Sequence, residues 1–235
     1  MQKQKIMRRI VVLTGAGMSA ESGISTFRDA GGLWEQHRIK DVATPEGFRK
    51  NPELVLDFYN QRRKQLFEVE PNDGHKILAA LEKDFDVRVI TQNVDNLHER
   101  AGSTHVLHLH GELMKVRSTG YMEQIFELTK ENCEIHVGDK CPKGFQLRPH
   151  IVWFGEAVPE IENAMQLCET ADILVIIGTS MQVYPAAGLI NYVQAGTPIY
   201  LIDPGEVGKH YQNTIHIKKG AGEGMRELTE VLKKR

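Results

Sequence analysis

The sequence predicts an α/β fold: a doubly wound parallel sheet with a smaller lobe built from two insertions. Three observations carry that prediction. Continuous apolar runs, which mark strands covered on both faces, recur at RIVVLT (9–14), VRVIT (87–91), ILVIIG (173–178) and PIYLID (198–203). Helical patterns lie between these runs, and strands alternating with helices of this length imply parallel βαβ units. Two stretches, 30–72 and 112–150, break the alternation and leave the sheet for a second lobe.

Taken in order, RIVVLT runs straight into GAGMSA (15–20), a match to G-x-G-x-x-A. Glycine there allows the turn and the close approach of backbone to a pyrophosphate at a helix N-terminus. Residues 30–72 hold one long helical pattern, PELVLDFYNQRRKQLFEV, and no strand. GHKILAALEK (74–83) is a helix leading back to VRVIT, and HVLHLH (105–110) is a weaker strand. Residues 112–150 read as polar and irregular, with a short helical pattern in MEQIFELTK (122–130). IENAMQLCETA (161–171), AAGLINYVQAG (186–196) and GMRELTEVLKK (224–234) read as helices around ILVIIG and PIYLID, with TIHIKK (214–219) as a last, weaker strand.

Composition narrows the classes of function. The 235 residues are 26% charged and 41% hydrophobic, an ordinary globular balance, and the net charge of −2 offers no footprint for nucleic acid. No apolar run approaches the roughly 18 residues of a membrane span. The basic start MQKQKIMRR is followed by no signal-like apolar segment, and three cysteines (Cys133, Cys141, Cys168) are too few and too irregular for a disulfide framework. A reducing cytoplasm is the expected location. Oligomeric state is not legible.

Chemistry collects at the strand ends, where doubly wound sheets bind their ligands. GAG, TQNVDN (91–96), GTS (178–180) and DPGE (203–206) all fall at such ends and converge on one crevice. Four polar strand ends fit a large, hydroxyl-rich ligand such as a dinucleotide. The acid expected about 20 residues after the glycines, on a second strand, is missing, since FRDAGGLWEQHRIKD is no strand. Asp203 is one candidate for that ribose contact; an Asp-Pro turn is the other reading. His108 and His110 share one face of their strand. His108 reads as structural, whereas His110, before Gly111 at the strand end, is placed to take a proton near neutral pH.

The segments GAGMSAESGISTFRDAGGLW, TQNVDNLHERAG, LHGEL, VWFGE and GTSMQVYPAAGL, in that order, resemble the serial signatures of the sirtuins, NAD-dependent protein-lysine deacylases. The resemblance spans nearly the whole chain. It implies a Rossmann-like NAD-binding domain from residues 1–29, 73–111 and 149–235. It implies a small lobe from 30–72 and 112–148, a helical module plus a degenerate zinc module. NAD is then expected with its pyrophosphate over Gly15, Ala16 and Gly17, with Ser19, Gln92, Gly178, Thr179 and Ser180 adding contacts. Asn93 would hold the nicotinamide ribose and Asp95 the carboxamide. Phe27 and Arg28 would sit on a mobile cofactor loop, and Asp203 stands where the family usually has Asn.

For mechanism, the resemblance implies that the acyl-lysine oxygen attacks the ribose as nicotinamide leaves, with His110 as general base and Asn93 beside it. The products are free lysine, nicotinamide and O-acyl-ADP-ribose. Val152, Phe154 and Gly155 of VWFGE would pair strand-like with an acylated protein or peptide. Tyr59 and Arg62, three apart on the predicted helix, match the Tyr-x-x-Arg pair of sirtuins that remove succinyl and malonyl groups, with Ala43 leaving room beside them. Arg63 and Lys64 are expected on a solvated face. The family's structural zinc is expected to be absent, because Ser118 and Thr119 stand where its first cysteine pair would begin. Cys133, His136, Asp139 and Cys141 leave a makeshift site open, and packing of Tyr121, Ile125, Phe126 and Leu128 is expected to serve instead. The competing readings are an NAD glycohydrolase or ADP-ribosyl transferase on the same scaffold, a dehydrogenase, and a non-enzymatic NAD-sensing module.

Overall fold

A computed structural model describes residues 7–24, 37–179, 181–205 and 213–234. In chain order it contains β1 (Arg9–Thr14), α1 (Ala16–Ala20), α2 (Ile39–Val42), α3 (Pro45–Lys50), α4 (Pro52–Leu66), α5 (Asp73–Leu81) and β2 (Asp86–Thr91). There follow α6 (Leu97–Ala101), β3 (Val106–His108), β4 (Gly111–Ser118), β5 (Ile125–Glu127) and β6 (Leu147–Ile151). The chain closes with α7 (Ile161–Glu169), β7 (Ile173–Ile177), a 3-10 helix (Ala186–Tyr192), β8 (Ile199–Ile202), β9 (Thr214–Ile217) and α8 (Ala221–Lys233).

Six strands form one sheet in the order β3-β2-β1-β7-β8-β9, and every neighbouring pair is parallel. Side chains alternate across it, which is why continuous apolar runs were needed. Ile10 and Val12 of β1 pack with Leu78 of α5 and Met225 and Leu228 of α8 on one face. Val11 and Leu13 meet Ala164 and Cys168 of α7 on the other. The helices start where sequence chemistry places them. The Asn72 carboxamide accepts from the Gly74 and His75 amides at the head of α5, and Asn51 accepts from Leu54 ahead of Pro52 at the head of α4.

The second sheet corrects the reading of residues 112–150 as irregular. β5-β4-β6 is antiparallel, with Lys115–Arg117 paired to Ile125–Glu127 and Val116–Ser118 to Leu147–Pro149. The helical pattern at 122–130 is therefore a three-residue strand and a 3-10 turn (Lys130–Asn132). Cross-strand pairing outweighs a local period that spans barely two turns. The expected helix at 186–196 is likewise the 3-10 helix. Ile125 is exposed, so the small sheet packs instead through Val116, Ile135, Phe126 and Leu128 against α4, and Tyr121 stacks edge-on to Phe145.

Arg63 overturns the expectation of a solvated face. Its side chain is 0% exposed and ties α4 to two distant segments: Nε donates to the Cys133 carbonyl (2.5 Å), Nη1 to the Leu113 carbonyl (3.3 Å) and Nη2 to Asn60 Oδ1 (2.6 Å). Asn60 in turn exchanges two hydrogen bonds with the Ile135 backbone. Burial lowers the Arg63 pKa to about 10, so it stays protonated at neutral pH. Lys64 does face solvent, paired to Glu134. Stripping a buried acceptor of its donor costs about 1–3 kcal/mol, so Arg63→Met should destabilise the protein by roughly 2–4 kcal/mol in denaturant unfolding. An unchanged unfolding midpoint would show that this tie carries no weight.

Candidate active site

The crevice sits where strand order reverses, between β1 and β7, with connections leaving to opposite sides. Two glycine segments make its floor. The Gly15 amide donates to the Ile177 carbonyl (3.0 Å) and the Gly17 amide to the Gly178 carbonyl (2.8 Å). A Cβ on Gly17 would come 2.7 Å from Gly178 Cα, and Gly178 has φ +59°, so both positions require glycine. The Gly15 and Gly17 amides are spent on joining the strand ends, so neither is left to donate to a ligand. Ala16 opens α1 between them.

Asn93 stands at the centre of a buried polar network. Its Nδ2 donates to the Gly15 carbonyl and to Ser19 Oγ (both 3.0 Å), while its own amide donates to Thr91 Oγ1. Ser19 Oγ donates onward to Asp95 Oδ2 (3.0 Å), and Asp95 Oδ1 accepts the Leu97 amide (3.2 Å). Burial pushes the Asp95 pKa up, opposed by those two donors. Gln92 Nε2 donates to Thr179 Oγ1 (3.1 Å), closing the network across to the end of β7. Asp203, at the end of β8, accepts the Gly205 amide in a turn (2.8 Å).

His110 lies at the seam between the two sheets. Its Nδ1 is 3.1 Å from the Gln92 carbonyl, which can only accept, so Nδ1 carries the hydrogen and Nε2 keeps its lone pair. Burial lowers its pKa below the usual 6.5, so the imidazole is a neutral base at pH 7. Gly111, at φ +79°, lets the chain turn directly into β4, where any Cβ would collide with the His150 carbonyl.

The substrate-side residues border this network, Arg62 feeling the charge of Asp95. Tyr59 is 1% exposed and its hydroxyl accepts the Trp153 indole N–H (2.9 Å). The Arg62 guanidinium lies 5.8 Å from the Phe58 ring and 5.9 Å from the Tyr59 ring; desolvation lowers its pKa, opposed by Tyr59 and Asp95. Ala43 is buried with them. VWFGE leaves the small sheet after Ile151: the Val152 amide donates to His110 O and the Phe154 amide to Ala43 O, Phe154 is 48% exposed, and Gly155 turns at φ +90°. The Val152 and Phe154 amides are thus engaged within the protein.

One cluster escaped the sequence reading. Glu156 accepts from Arg148 Nη1 (2.6 Å), Arg117 Nη2 (3.3 Å) and the Trp153 amide (2.8 Å), and Arg148 stacks 3.4 Å over the Trp153 ring. Arg148 and Glu156 flanking the apolar IVWF were the available signal. Phe27, Arg28 and Ser180 lie outside the described residues. Cys133, Cys141 and Cys168 are free thiols and buried. Cys141 Sγ donates to Ser118 Oγ (3.3 Å), and the Asp139 carboxylate accepts the His136 amide (2.7 Å). Among the described residues no group of three or more His, Cys, Asp or Glu is arranged to hold a metal ion.

A model of the Sir2 family matches residues 15–185. An NAD-dependent protein deacylase of Bacteroides thetaiotaomicron is 62% identical over 230 residues, covering 96% of this chain and 98% of that protein. One from Helicobacter pylori is 54% identical over 223 residues, covering 94% and 96%. Among solved structures, a Sir2 homolog–NAD complex superposes with a TM-score of 0.87 at 42% identity, covering 97% of this chain and 90% of that one. A Sir2–p53 peptide–NAD+ complex superposes at 0.80 with 30% identity, covering 97% and 95%.

Proposed function

This chain belongs to the Sir2 family, and from that premise we propose how its site performs NAD-dependent protein deacylation. The supporting observation is the convergence of the Asn93–Ser19–Asp95 network, the glycine floor and a neutral His110 on one crevice at the switch point. The residues fit NAD: a glycine turn at the strand ends, packed too closely to admit a side chain at Gly17 or Gly178, lies beside buried amide and hydroxyl groups suited to a ribose. NAD, when bound, supplies an ADP-ribosyl acceptor for the acyl group, with nicotinamide as leaving group. Gly15, Ala16, Gly17, Gly178 and Thr179 would line the phosphates, Asn93 and Gln92 the nicotinamide ribose, Asp95 the carboxamide, and Asp203 the second ribose. His110 Nε2 takes the proton of a ribose hydroxyl, and its Nδ1–H bond to Gln92 holds the ring in the tautomer that can do so.

The substrate is an acylated lysine in a protein or peptide. Acetyl groups need only the apolar walls from Phe58, Tyr59 and Ala43. Arg62, held over two aromatic rings, adds a cation for acidic acyl groups, so succinyl- and malonyl-lysine belong in the substrate range. Val152 and Phe154 are best read as shaping the peptide entrance through their side chains and carbonyls, since their amides are engaged. We assign residues 1–29, 73–111 and 149–235 to one domain and 30–72 and 112–148 to the other; all six strands of the large sheet fall in the first, and β6 of the small sheet crosses the boundary. Three free thiols fit a reducing cytoplasm, and among the described residues no helix is long and apolar enough to cross a membrane.

The deciding experiment measures nicotinamide release with and without acylated peptide. Release that depends on the peptide, with transfer of its acyl group to ADP-ribose, is expected. Equal release without peptide would identify a glycohydrolase, and NAD binding without any release a sensor.

A further inference from the structure

His108 has two ring nitrogens and two partners, and both partners can only accept. Nδ1 is 3.1 Å from the Asn93 carbonyl, and Nε2 is 2.8 Å from Glu99 Oε1. A neutral imidazole donates from one nitrogen only, so satisfying both contacts requires the imidazolium. The side chain is 7% exposed, while that of Glu99 is 40% exposed and remains charged. The next carbonyl back, Gln92, is held by His110, so two imidazoles at and just past the end of β3 grip consecutive carbonyls at the start of QNVDN.

We propose that His108 is a positioning residue that works as an imidazolium, clamping the Asn93 backbone against Glu99 and so fixing the Asn93 side chain over Gly15 and Ser19. This rests on the reading of Asn93 as the nicotinamide-ribose contact. The groups facing His108 agree with a retained proton. Glu99 on α6 and Glu112 on β4 are anionic, Glu112 being shared with Lys115 at 2.8 Å, and the Asp95 carboxylate lies in the clamped loop. His98, also on α6, is held neutral by burial and adds no opposing charge at pH 7. The His108 pKa is raised: desolvation, the largest single influence, pulls it down, and the Glu99 hydrogen bond and charge, with Glu112 and the Asn93 carbonyl, together outweigh it; that of His110 is lowered by burial. One imidazole is thus kept basic and the other kept charged, and a working window opens between them. The sign follows: the His108 clamp is complete below about pH 6.5 and is lost as pH rises through the raised value.

The test is imidazole nitrogen NMR on the full chain without ligands, paired with the pH dependence of NAD binding and of kcat/KM for NAD. At pH 7, His108 should show two protonated nitrogens and His110 a neutral Nδ1–H ring. Glu99→Gln should lower the His108 midpoint by about one unit or more, and the alkaline limb of NAD binding and kcat/KM should move down with it. KM for peptide should hold, and Glu99→Asp should keep the limb near its native place. His108→Phe should cost on the order of 10- to 100-fold in kcat/KM for NAD. A neutral His108 at pH 7 overturns the proposal, as does a lowered midpoint with an unmoved limb. A native chain without acyl-dependent turnover would sink the deacylase reading alone, since the NMR and NAD-binding arms still decide this one.

Discussion

His110→Ala is expected to lose deacylation by about 10²- to 10⁴-fold, the usual cost of removing a general base. NAD affinity should change little, because Nδ1 is bonded to the Gln92 carbonyl and what is lost is a base and not a phosphate contact. The loss should therefore fall on kcat, read by single-turnover acyl transfer with NAD saturating. Burial lowers the His110 pKa, so the native enzyme should keep full activity through pH 7 and fall off on an acid limb below the ordinary value of about 6.5. An acid limb above that value, or a mutant retaining near-native turnover, would remove His110 from the role of base.

The second large effect is expected at Arg62. Charge-assisted hydrogen bonds contribute roughly 1.5–3 kcal/mol, so Arg62→Met should cost about 10- to 150-fold in kcat/KM on succinyl peptides. Acetyl peptides should lose far less, since an acetyl group has no carboxylate for the guanidinium to hold. Tyr59→Phe should cost less than Arg62→Met, because the Tyr59 hydroxyl is already tied to the Trp153 indole. Its deletion leaves that buried N–H without its acceptor, so part of its effect should appear as lost stability. Equal losses on succinyl and acetyl peptides for Arg62→Met, or no native activity on succinyl-lysine, would remove the acidic-acyl reading.

What the sequence disclosed and what it hid divide along a physical line. Strands β1, β2, β7 and β8 are buried on both faces, so their apolar runs announce them, and the polar residues just beyond β2 mark a site because a simple turn needs fewer. The small antiparallel sheet carries no such signal: β5 has three residues, β4 and β6 are mixed in polarity, and β4 meets β6 across a register shift between Gly111 and Val116. Arg63 was hidden for a related reason. The run QRRK looks solvated, and the carbonyls that bury its second arginine belong to Leu113 and Cys133, which only tertiary structure brings near. The Glu156 cluster has the same character, gathering Arg117 from β4 and Arg148 from β6.

The glycine floor also has a consequence for how the protein matures. Gly17 and Gly178 touch backbone to backbone although the chain between them contains the whole small sheet and three strands of the large one counted with β7. During synthesis, GAGMSA emerges early but has no opposite wall until ILVIIG is made and laid beside β1. A nascent chain that ends before residue 173 should therefore be unable to hold NAD, however well its earlier segments fold. NAD recruits only chains whose long-range pairing is complete, and each such event withdraws a molecule from the unfolded pool, by RT ln(1 + [L]/Kd). Cellular NAD supply would then act on the abundance of this protein as well as on its turnover. Protease survival of the purified chain, titrated with NAD, is the direct measure of that coupling.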